Sequence, residues 1–573
     1  MEIAFQAGVY WLMSLTIRLV GSALLVWIGP SFAQDKPVET GIPVRDELTI
    51  KRCAGCHKAD PAGNLTRISF VRTTPEGWQQ AIKRMVRLNG VRLTPDEARH
   101  IVSYLSMRHG LAPEEAAATD WFWQKRAIDE KNIPNDTLRS TCTACHPIAV
   151  PNSWRRTAEE WKLLTDMHVG YFPVAEYSAF RRFGTPPPDA TPEQRKQPVD
   201  VAIDYFAKAN ALQSPEWSQW QASMRPARLG GRWMLWANSP GRGRLVGEVT
   251  IEPGASPDEF TTRVTYTELA TGKKFERTGR SNLFSNYAWR GRSTLGSGDA
   301  IENPKEMREV MNVSRDQSKI EGRWFWGGYQ ELEINATLRR AGDSIVVLGT
   351  DLYSLKTGGT STVKIFGDRF SSSLKPADVS FGSGVTVKRI VNVSGSILTV
   401  EVEVAKDAIF GMRDVEVARA VAPSAVAIYD KIDYIKVSYD TAIARLGGGT
   451  HPKGYQQFEA IAYNRGLDGK PNTADDIALG PVPAKFSVEE FIARYDDDDK
   501  DFVGQLTPAG FFTPALEGPN PKRKFSGNNV GDVWVVATYQ PPDDAKAKPL
   551  VARCYLVVAV PLYMKWDQPE VAE

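Results

Sequence analysis

Residues Lys51 to Asp60 read KRCAGCHKAD. Within them Cys53, Cys56 and His57 are spaced C-x-x-C-H, the attachment pattern of c-type haem. Two thiols that bracket two residues can both bond to one porphyrin edge, and the adjacent imidazole then meets the iron from one side. The pattern returns in STCTACHP as Cys142, Cys145 and His146. Together the two copies use four of the five cysteines and two of the six histidines. One copy alone would fit a redox dithiol or half of a zinc site equally well. Two copies, each followed by histidine, favour two covalently bound c-type haems.

Outward from these motifs the chain repeats itself. Thr74-Pro75-Glu76-Gly77-Trp78 opens a helix with Thr74 as N-cap and Pro75 in its first turn, running to Leu88 and stopping at Asn89-Gly90. After the second motif, Thr157-Ala158-Glu159-Glu160-Trp161 opens another, with Thr157 and Glu160 as a capping box. Counted from the caps, Trp78 and Trp161 hold the same position. Two turns further along that face stand Met85 and His168. Methionine and histidine are the usual second axial ligands of such haems, so the register predicts His57/Met85 for one iron and His146/His168 for the other. Met107, His100 and His109 compete for the first, and Met167 for the second. Each unit should end in a further helix, one opening at Thr94-Pro95 and one around Val201 to Phe206. A proline-rich insertion, Pro186 to Pro188, reads as a solvent or docking loop, and Trp121 and Trp123 as packing between the units or over a haem edge.

Arg18 precedes the apolar run Leu19 to Ile28, followed by Gly29-Pro30 and the small-residue site Ser31-Phe32-Ala33. This is the layout of a secretory signal cleaved after Ala33. Translation starting at Met13 would make it more compact. The run is too short to span a bilayer, and no later stretch is long and apolar enough, so the mature chain is expected to be soluble and periplasmic. Hydrophobic residues make up 42% of the sequence and charged residues 24%, with net charge +2. That balance supports several packed cores and gives no reason to expect nucleic acid. The length suggests about four domains.

From about Ser214 the helical period gives way to alternating strands with Gly, Asn and Asp turns. Leu245 to Ile251, Phe260 to Tyr266 and Glu309 to Val313 are examples. The triplets Gly231-Arg232-Trp233 and Gly322-Arg323-Trp324 bracket such strands and suggest a meandering antiparallel β-barrel with tryptophans plugging its ends. Residues 338–421 have the size and strand spacing of an immunoglobulin-like β-sandwich, and residues 422–573 carry further strands, one holding Cys554 as a buried, inert thiol. Asn464 to Asp475 reads as an ordinary turn rather than a calcium loop, and Asp496 to Asp499 as a solvated charge run. The expected division is therefore 1–33 signal, 34–213 helical di-haem cytochrome c domain, 214–337 barrel, 338–421 sandwich and 422–573 C-terminal β domain.

This order, with the two C-x-x-C-H motifs, the stretch Trp161 to Pro173 (WKLLTDMHVGYFP) and the Gly-Arg-Trp triplets, resembles the alpha subunit of quinohaemoprotein amine dehydrogenase over the whole mature chain. The resemblance makes the last segment a second immunoglobulin-like domain. It implies a periplasmic heterotrimer that oxidises primary amines. A gamma subunit carries cysteine tryptophylquinone and a propeller-shaped beta subunit helps enclose it. Electrons pass singly through the alpha-subunit haems to a soluble cytochrome c or blue-copper protein. No catalytic residue is then expected on this chain. Two rival classes remain: a stand-alone di-haem carrier with β binding domains, and a self-contained di-haem enzyme such as a peroxidase. Replacing Cys53 and Cys56 together by Ala should remove one haem mass from the exported chain and leave the other. Retention of both masses would contradict the reading of this motif.

Overall fold

The computed structural model describes residues 39–117, 119, 133–143, 146, 148–296, 301, 303–492, 497–524, 526–542 and 548–561. The expected signal, Trp121, Trp123, Cys145 and Asp496 lie outside the described residues.

The cap signals place the helices of the first domain. Pro75–Asn89 starts with the Thr74 hydroxyl accepting from Gly77 N–H and ends at Gly90. Gly90 has φ 69°, the left-handed conformation that glycine adopts without steric cost. Pro95–Arg108 starts in a complete Thr94/Glu97 capping box. Ala158–Tyr171 differs from expectation. Thr157 caps Glu160 N–H, but the Thr157 N–H goes to the Phe70 carbonyl at 3.4 Å. The Glu160 carboxylate turns instead to Arg67 and Arg156, so only half of the box forms. The proline-rich insertion carries a π-helical turn, Glu176–Phe180, and a short helix, Pro192–Arg195, before Pro198–Ala209.

Two short strands join the repeated units. Val71–Thr73 pairs antiparallel with Trp154–Arg156, with Arg72 opposite Arg155. Beneath them the buried Arg72 forks onto Glu115 at 2.8 and 2.9 Å, and Arg155 Nε reaches the same carboxylate at 3.2 Å. Burial works to raise Glu115, but Arg72 and Arg155 overcome it and hold the carboxyl at about 2.

Eight strands, from Gly231–Ser239 to Leu332–Arg340, form a closed antiparallel meander. Closure comes from pairing the last strand with the first, Asn335 opposite Asn238 through Arg340 opposite Trp233. The barrel thus runs slightly past residue 337. The strands alternate buried and exposed side chains, as a sheet with one core face should; Glu259–Glu268 buries Phe260, Thr262, Val264, Tyr266 and Glu268. Trp233 and Trp324 are both buried in the barrel core. The glycines of their triplets have separate reasons. Gly231 sits at φ 120°, and a Cβ at Gly322 would overlap the Val310 carbonyl of the neighbouring strand.

One apolar core runs continuously from the first helical unit into the barrel, including Trp78, Leu105, Trp217, Trp220 and Tyr287. The contact also buries an ion pair, Glu76 with Arg290, at 0% and 1% side-chain exposure. Ser285 of the barrel donates to the Ser106 carbonyl at 2.5 Å, and Trp220 Nε1 donates to the Ser285 carbonyl at 3.2 Å.

Beyond the barrel, two four-stranded sheets enclose a common core that includes Val363, Val400, Val415 and Ile428. The strand Ala420–Tyr429 pairs antiparallel with Gly411–Val417 and parallel with Ser354–Lys356. This sheet therefore continues past residue 421, where the sequence reading placed its end. The reason is that the alternating residues Ala422, Val426 and Ile428 point into the sandwich core. The remaining strands form a four-stranded sheet and two three-stranded ones around a further core. There Cys554 is fully buried, and burial pushes its thiol up to about 12.

The loop after Asn464 is a turn closed on itself: the Asp475 carboxylate accepts from Leu467 N–H at 2.7 Å and Asp468 N–H at 3.0 Å. The second acidic run is not simply solvated. Asp499 is buried, pairs with Arg523 and accepts from Asp532 N–H at 2.7 Å, while Asp498 meets the same guanidinium at 3.0 Å. The distant Arg523, itself buried, draws these carboxylates inward.

Breaking a buried ion pair by removing one partner strands the other charge, at a cost of about 3–5 kcal/mol. Glu76→Ala should therefore destabilise the chain by that order in denaturant unfolding, and a loss below about 1 kcal/mol would show that Arg290 is readily resolvated.

Candidate haem-iron centres

The first motif ends a helix. Glu47–Cys53 starts at Asp46, whose carboxylate accepts from Thr49 N–H at 2.8 Å, and Cys53 is its last residue. The chain then turns tightly, with Cys56 N–H and His57 N–H both donating to the Cys53 carbonyl, at 3.2 and 2.9 Å. Both thiols and the imidazole thus leave one short turn. Burial, then Cys56, raises the Cys53 thiol, and burial pushes Cys142 to about 12. A redox-active dithiol needs the opposite shift. The second motif likewise begins at the end of a helix: Asp136–Cys142 is capped by Asn135, which accepts from Leu138 N–H at 2.8 Å.

The histidines are oriented for ligation. His57 Nδ1 lies 2.8 Å from the Thr66 carbonyl, and His168 Nδ1 lies 2.8 Å from the Leu164 carbonyl. A carbonyl can only accept, so each Nδ1 carries a proton, and in the neutral ring that leaves Nε2 as the nitrogen able to meet a metal. Such a bond to the far nitrogen fixes tautomer and ring orientation at metal-binding histidines.

His146 and His168 come together. Their ring centroids are 6.5 Å apart with 51° between planes. Two imidazoles bound through nitrogen to opposite sides of one metal, each about 2.0 Å from it, would place their centroids roughly 6.3 Å apart. The separation of the rings therefore matches that of two imidazoles sharing one iron. Phe180 of the insertion lies edge-on to His168 at 6.1 Å.

Met85 occupies the matching place in the other unit, and hydrogen bonds establish the match. Trp78 Nε1 donates to the His109 carbonyl at 2.9 Å, and Trp161 Nε1 to the Asn210 carbonyl at 3.3 Å. Thr73 N–H, just before the first cap, also donates to the His109 carbonyl at 3.0 Å. Arg156 N–H, just before the second, donates to the Asn210 carbonyl at 3.1 Å. His109 and Asn210 each end the unit's last helix. In this frame Met85 and His168 are equivalent. Met85 is half-buried on the face that carries Trp78 and Ile82, and its sulfur lies 3.7 Å from Asn89 Nδ2.

The competing histidines have other surroundings. His100 Nε2 is engaged with Asp46 Oδ1 at 2.8 Å. His109 is fully buried beside Trp78, with ring centroids 6.1 Å apart. Met107 and Met167 are half-buried.

A charged cluster between the units was not foreseen. Glu160 Oε2 lies 3.0 Å from Arg67 Nε and 3.8 Å from Arg156 Nη1. Arg67 directly follows Thr66, the partner of His57, and has φ 70°, a conformation uncommon outside glycine. Only the doubled arginine before Thr157 hinted at it in the sequence.

Family models match four successive segments. Residues 44–184 match "Quinohemoprotein amine dehydrogenase A, alpha subunit, haem binding". Residues 226–341, 351–430 and 435–571 match domains II, III and IV of the quinohemoprotein amine dehydrogenase alpha subunit. No curated protein sequence matches the chain. Among solved structures, a redesigned β-barrel, mFAP1 bound to DFHBI, is 14% identical, covering 20% of this chain and 94% of its own, with TM-score 0.17. Tandem Ig repeats of Dlar are 10% identical, covering 38% and 97%, with TM-score 0.12. Scores this low decide nothing about the chain.

Burial lowers His109 to about 4, with the Val71 carbonyl opposing and Arg72 adding to the shift. The unfolded chain binds that proton at the ordinary value near 6.5. The stability from keeping the ring neutral is therefore complete above about pH 6.5 and is lost as pH falls toward 4, by about 3 kcal/mol in all. His109→Asn, which copies Asn210 of the other unit, should lose less on the acid side. Unfolding midpoints followed at the haem band across this range test it, and parallel losses in the two proteins would contradict it.

Proposed function

This chain belongs to the quinohemoprotein amine dehydrogenase alpha-subunit family, and from that premise we propose that it is the electron-relay and scaffold subunit of a periplasmic amine dehydrogenase. It would take electrons from a quinone, cysteine tryptophylquinone on a gamma subunit, and deliver them to a soluble cytochrome c or blue-copper protein. Partners would be that gamma subunit and a propeller-shaped beta subunit. The His146–His168 ring pair carries the reading, because two imidazoles at 6.5 Å, with His168 Nδ1 committed to the Leu164 carbonyl, suit a low-spin iron that changes charge without changing ligands.

Each haem would supply a one-electron iron couple. Cys53 and Cys56 would hold one and Cys142 and Cys145 the other, with His57 and Met85, and His146 and His168, as the axial residues. The chain's part is to fix ligand identity and surroundings. The helix starting at Thr74 sets Met85, and the helix starting at Thr157 sets His168, each through a tryptophan anchored on the end of its unit's last helix. A thioether donates less strongly than an imidazole and favours ferrous iron, so the Met85 site should have the higher potential. That order suits entry at the His146/His168 site and exit at the His57/Met85 site. The barrel, the sandwich and the C-terminal sheets, the latter two proposed as immunoglobulin-like, would serve as the frame on which the other subunits assemble.

A redox titration of Met85→His should show one potential lowered and the other little changed, while the initial reduction by the quinone stays near its original rate. If neither potential moves and a methionine-ligand signal persists, Met85 is not the ligand. The isolated haem-loaded chain should not oxidise primary amines. Amine-dependent reduction of its haems without other subunits would contradict the proposed division of labour, as would native mass spectrometry showing no partner subunits.

A further inference from the structure

Three guanidiniums, Arg67, Arg84 and Arg156, gather where the two haem-bearing units meet, against one carboxylate, Glu160. Arg67 and Arg156 share the same Glu160 oxygen, at 3.0 and 3.8 Å. Arg156 has only 7% of its side chain exposed, and its Nε has no hydrogen-bond partner. Its flat face stacks 4.4 Å from the Trp154 ring centre, so the edge bearing its donors is left for something else. Arg84 feels the charge of Arg67, acts on Arg156 and lies near Tyr171. Among the described residues no carboxylate pairs with Arg84. Burial, relieved by Glu160 and reinforced by Arg67 and Arg84, pulls Arg156 down to about 9.

This leaves an excess of two positive charges, with Arg156 buried, Arg84 half-buried and Arg67 39% exposed at its side chain. Buried charges without partners are costly, and proteins pair them. The surroundings indicate which anion belongs there. Arg67 follows the residue that orients His57. Arg84 adjoins Met85. Arg156 precedes the cap of the helix carrying His168, and Tyr171 lies one turn beyond His168 on that helix. The cluster thus borders residues next to proposed axial ligands in both units. Arg67 reaches it from a strained backbone at φ 70°, and strain of this kind persists where the surroundings demand it.

We infer that Arg67, Arg84 and Arg156 form the seat of a haem propionate lying between the two units. The inference rests on the two-haem reading above and adds a ligand contact to it. A guanidinium presents parallel N–H donors that match a carboxylate, which a lysine does not. The seat would keep the propionate ionised throughout the working pH range. It would also raise the potential of the haem concerned, because nearby cations disfavour ferric iron.

The test uses the exported full chain in its native complex, with haem labelled by carbon-13 at the propionate carboxyls, read by redox-difference infrared spectroscopy. Haem mass is checked first; fewer than two haems in the unsubstituted protein would sink the two-haem reading itself. In Arg84→Gln and Arg156→Gln the label-sensitive carboxylate band should move, and Arg84→Lys should restore it only in part. One haem's potential should fall and acquire a slope over about pH 4 to 7, the range in which a released carboxylate titrates. Which haem responds identifies the source of the propionate. If both Gln variants keep two haems while the band and the flat pH profile are unchanged, the seat does not exist. If those variants fail to fold, the unsubstituted protein still decides: labelled bands at the position of solvent-exposed propionates would overturn the inference.

Discussion

Three residue pairs, Val71 with Arg156, Arg72 with Arg155 and Thr73 with Trp154, tie together the two units that carry the cysteine motifs. The two helices that bear the proposed distal ligands start from this short ladder. Thr74 and Thr157 follow its two strands directly and start the helices that bear Met85 and His168. The same strands send Thr73 N–H and Arg156 N–H to the carbonyls that also receive the two tryptophan indoles. Each candidate distal ligand is thus indexed twice, by its cap and by its tryptophan, to the end of its unit's last helix. A ladder this short cannot be stable alone. It is held by the Arg72–Glu115–Arg155 network beneath it and by the apolar core continuing into the barrel.

Charge is used at this junction for orientation more than for raw stability. A buried ion pair seldom outperforms an apolar packing of the same volume. It does, however, penalise any arrangement that separates its partners. Arg72 with Glu115 orders the region under the ladder, and Glu76 with Arg290 sets the helix bearing Met85 against the barrel wall. The Arg67–Arg84–Arg156 cluster differs because three guanidiniums face one carboxylate and Arg156 Nε is left without a hydrogen-bond partner, whereas Arg72 forks fully onto Glu115.

The sequence disclosed what local chemistry decides. The caps at Thr74, Thr94 and Thr157, the glycine stop at Gly90 and the alternating barrel strands all depend on neighbours within a turn or a hairpin, and each appears in the fold. What it hid depends on distant partners. Glu160 was read as closing a capping box, but Phe70 takes the Thr157 N–H and two arginines take the carboxylate. The sandwich was ended too early because Ala420–Tyr429 declares its place only through pairing with Gly411–Val417 and Ser354–Lys356. Asp499 sits in a run of like charges that reads as solvated, and only the distant Arg523 accounts for its burial. The register aligning Met85 with His168 is legible because the repeat preserves it, and it pairs His146 with His168, whose rings stand 6.5 Å apart in the fold; the packing of Phe180 against His168 is not legible, since it depends on how the insertion closes.

The most direct check on a haem iron held between His146 and His168 is carbon monoxide binding to the reduced His168→Ala chain, purified with its haems and counted by mass. Two haems should remain attached, one of them now five-coordinate and binding carbon monoxide while the other stays low-spin and inert. Both haems remaining low-spin and blind to carbon monoxide, with the parent's spectrum, would contradict the assignment of His168 as an axial ligand.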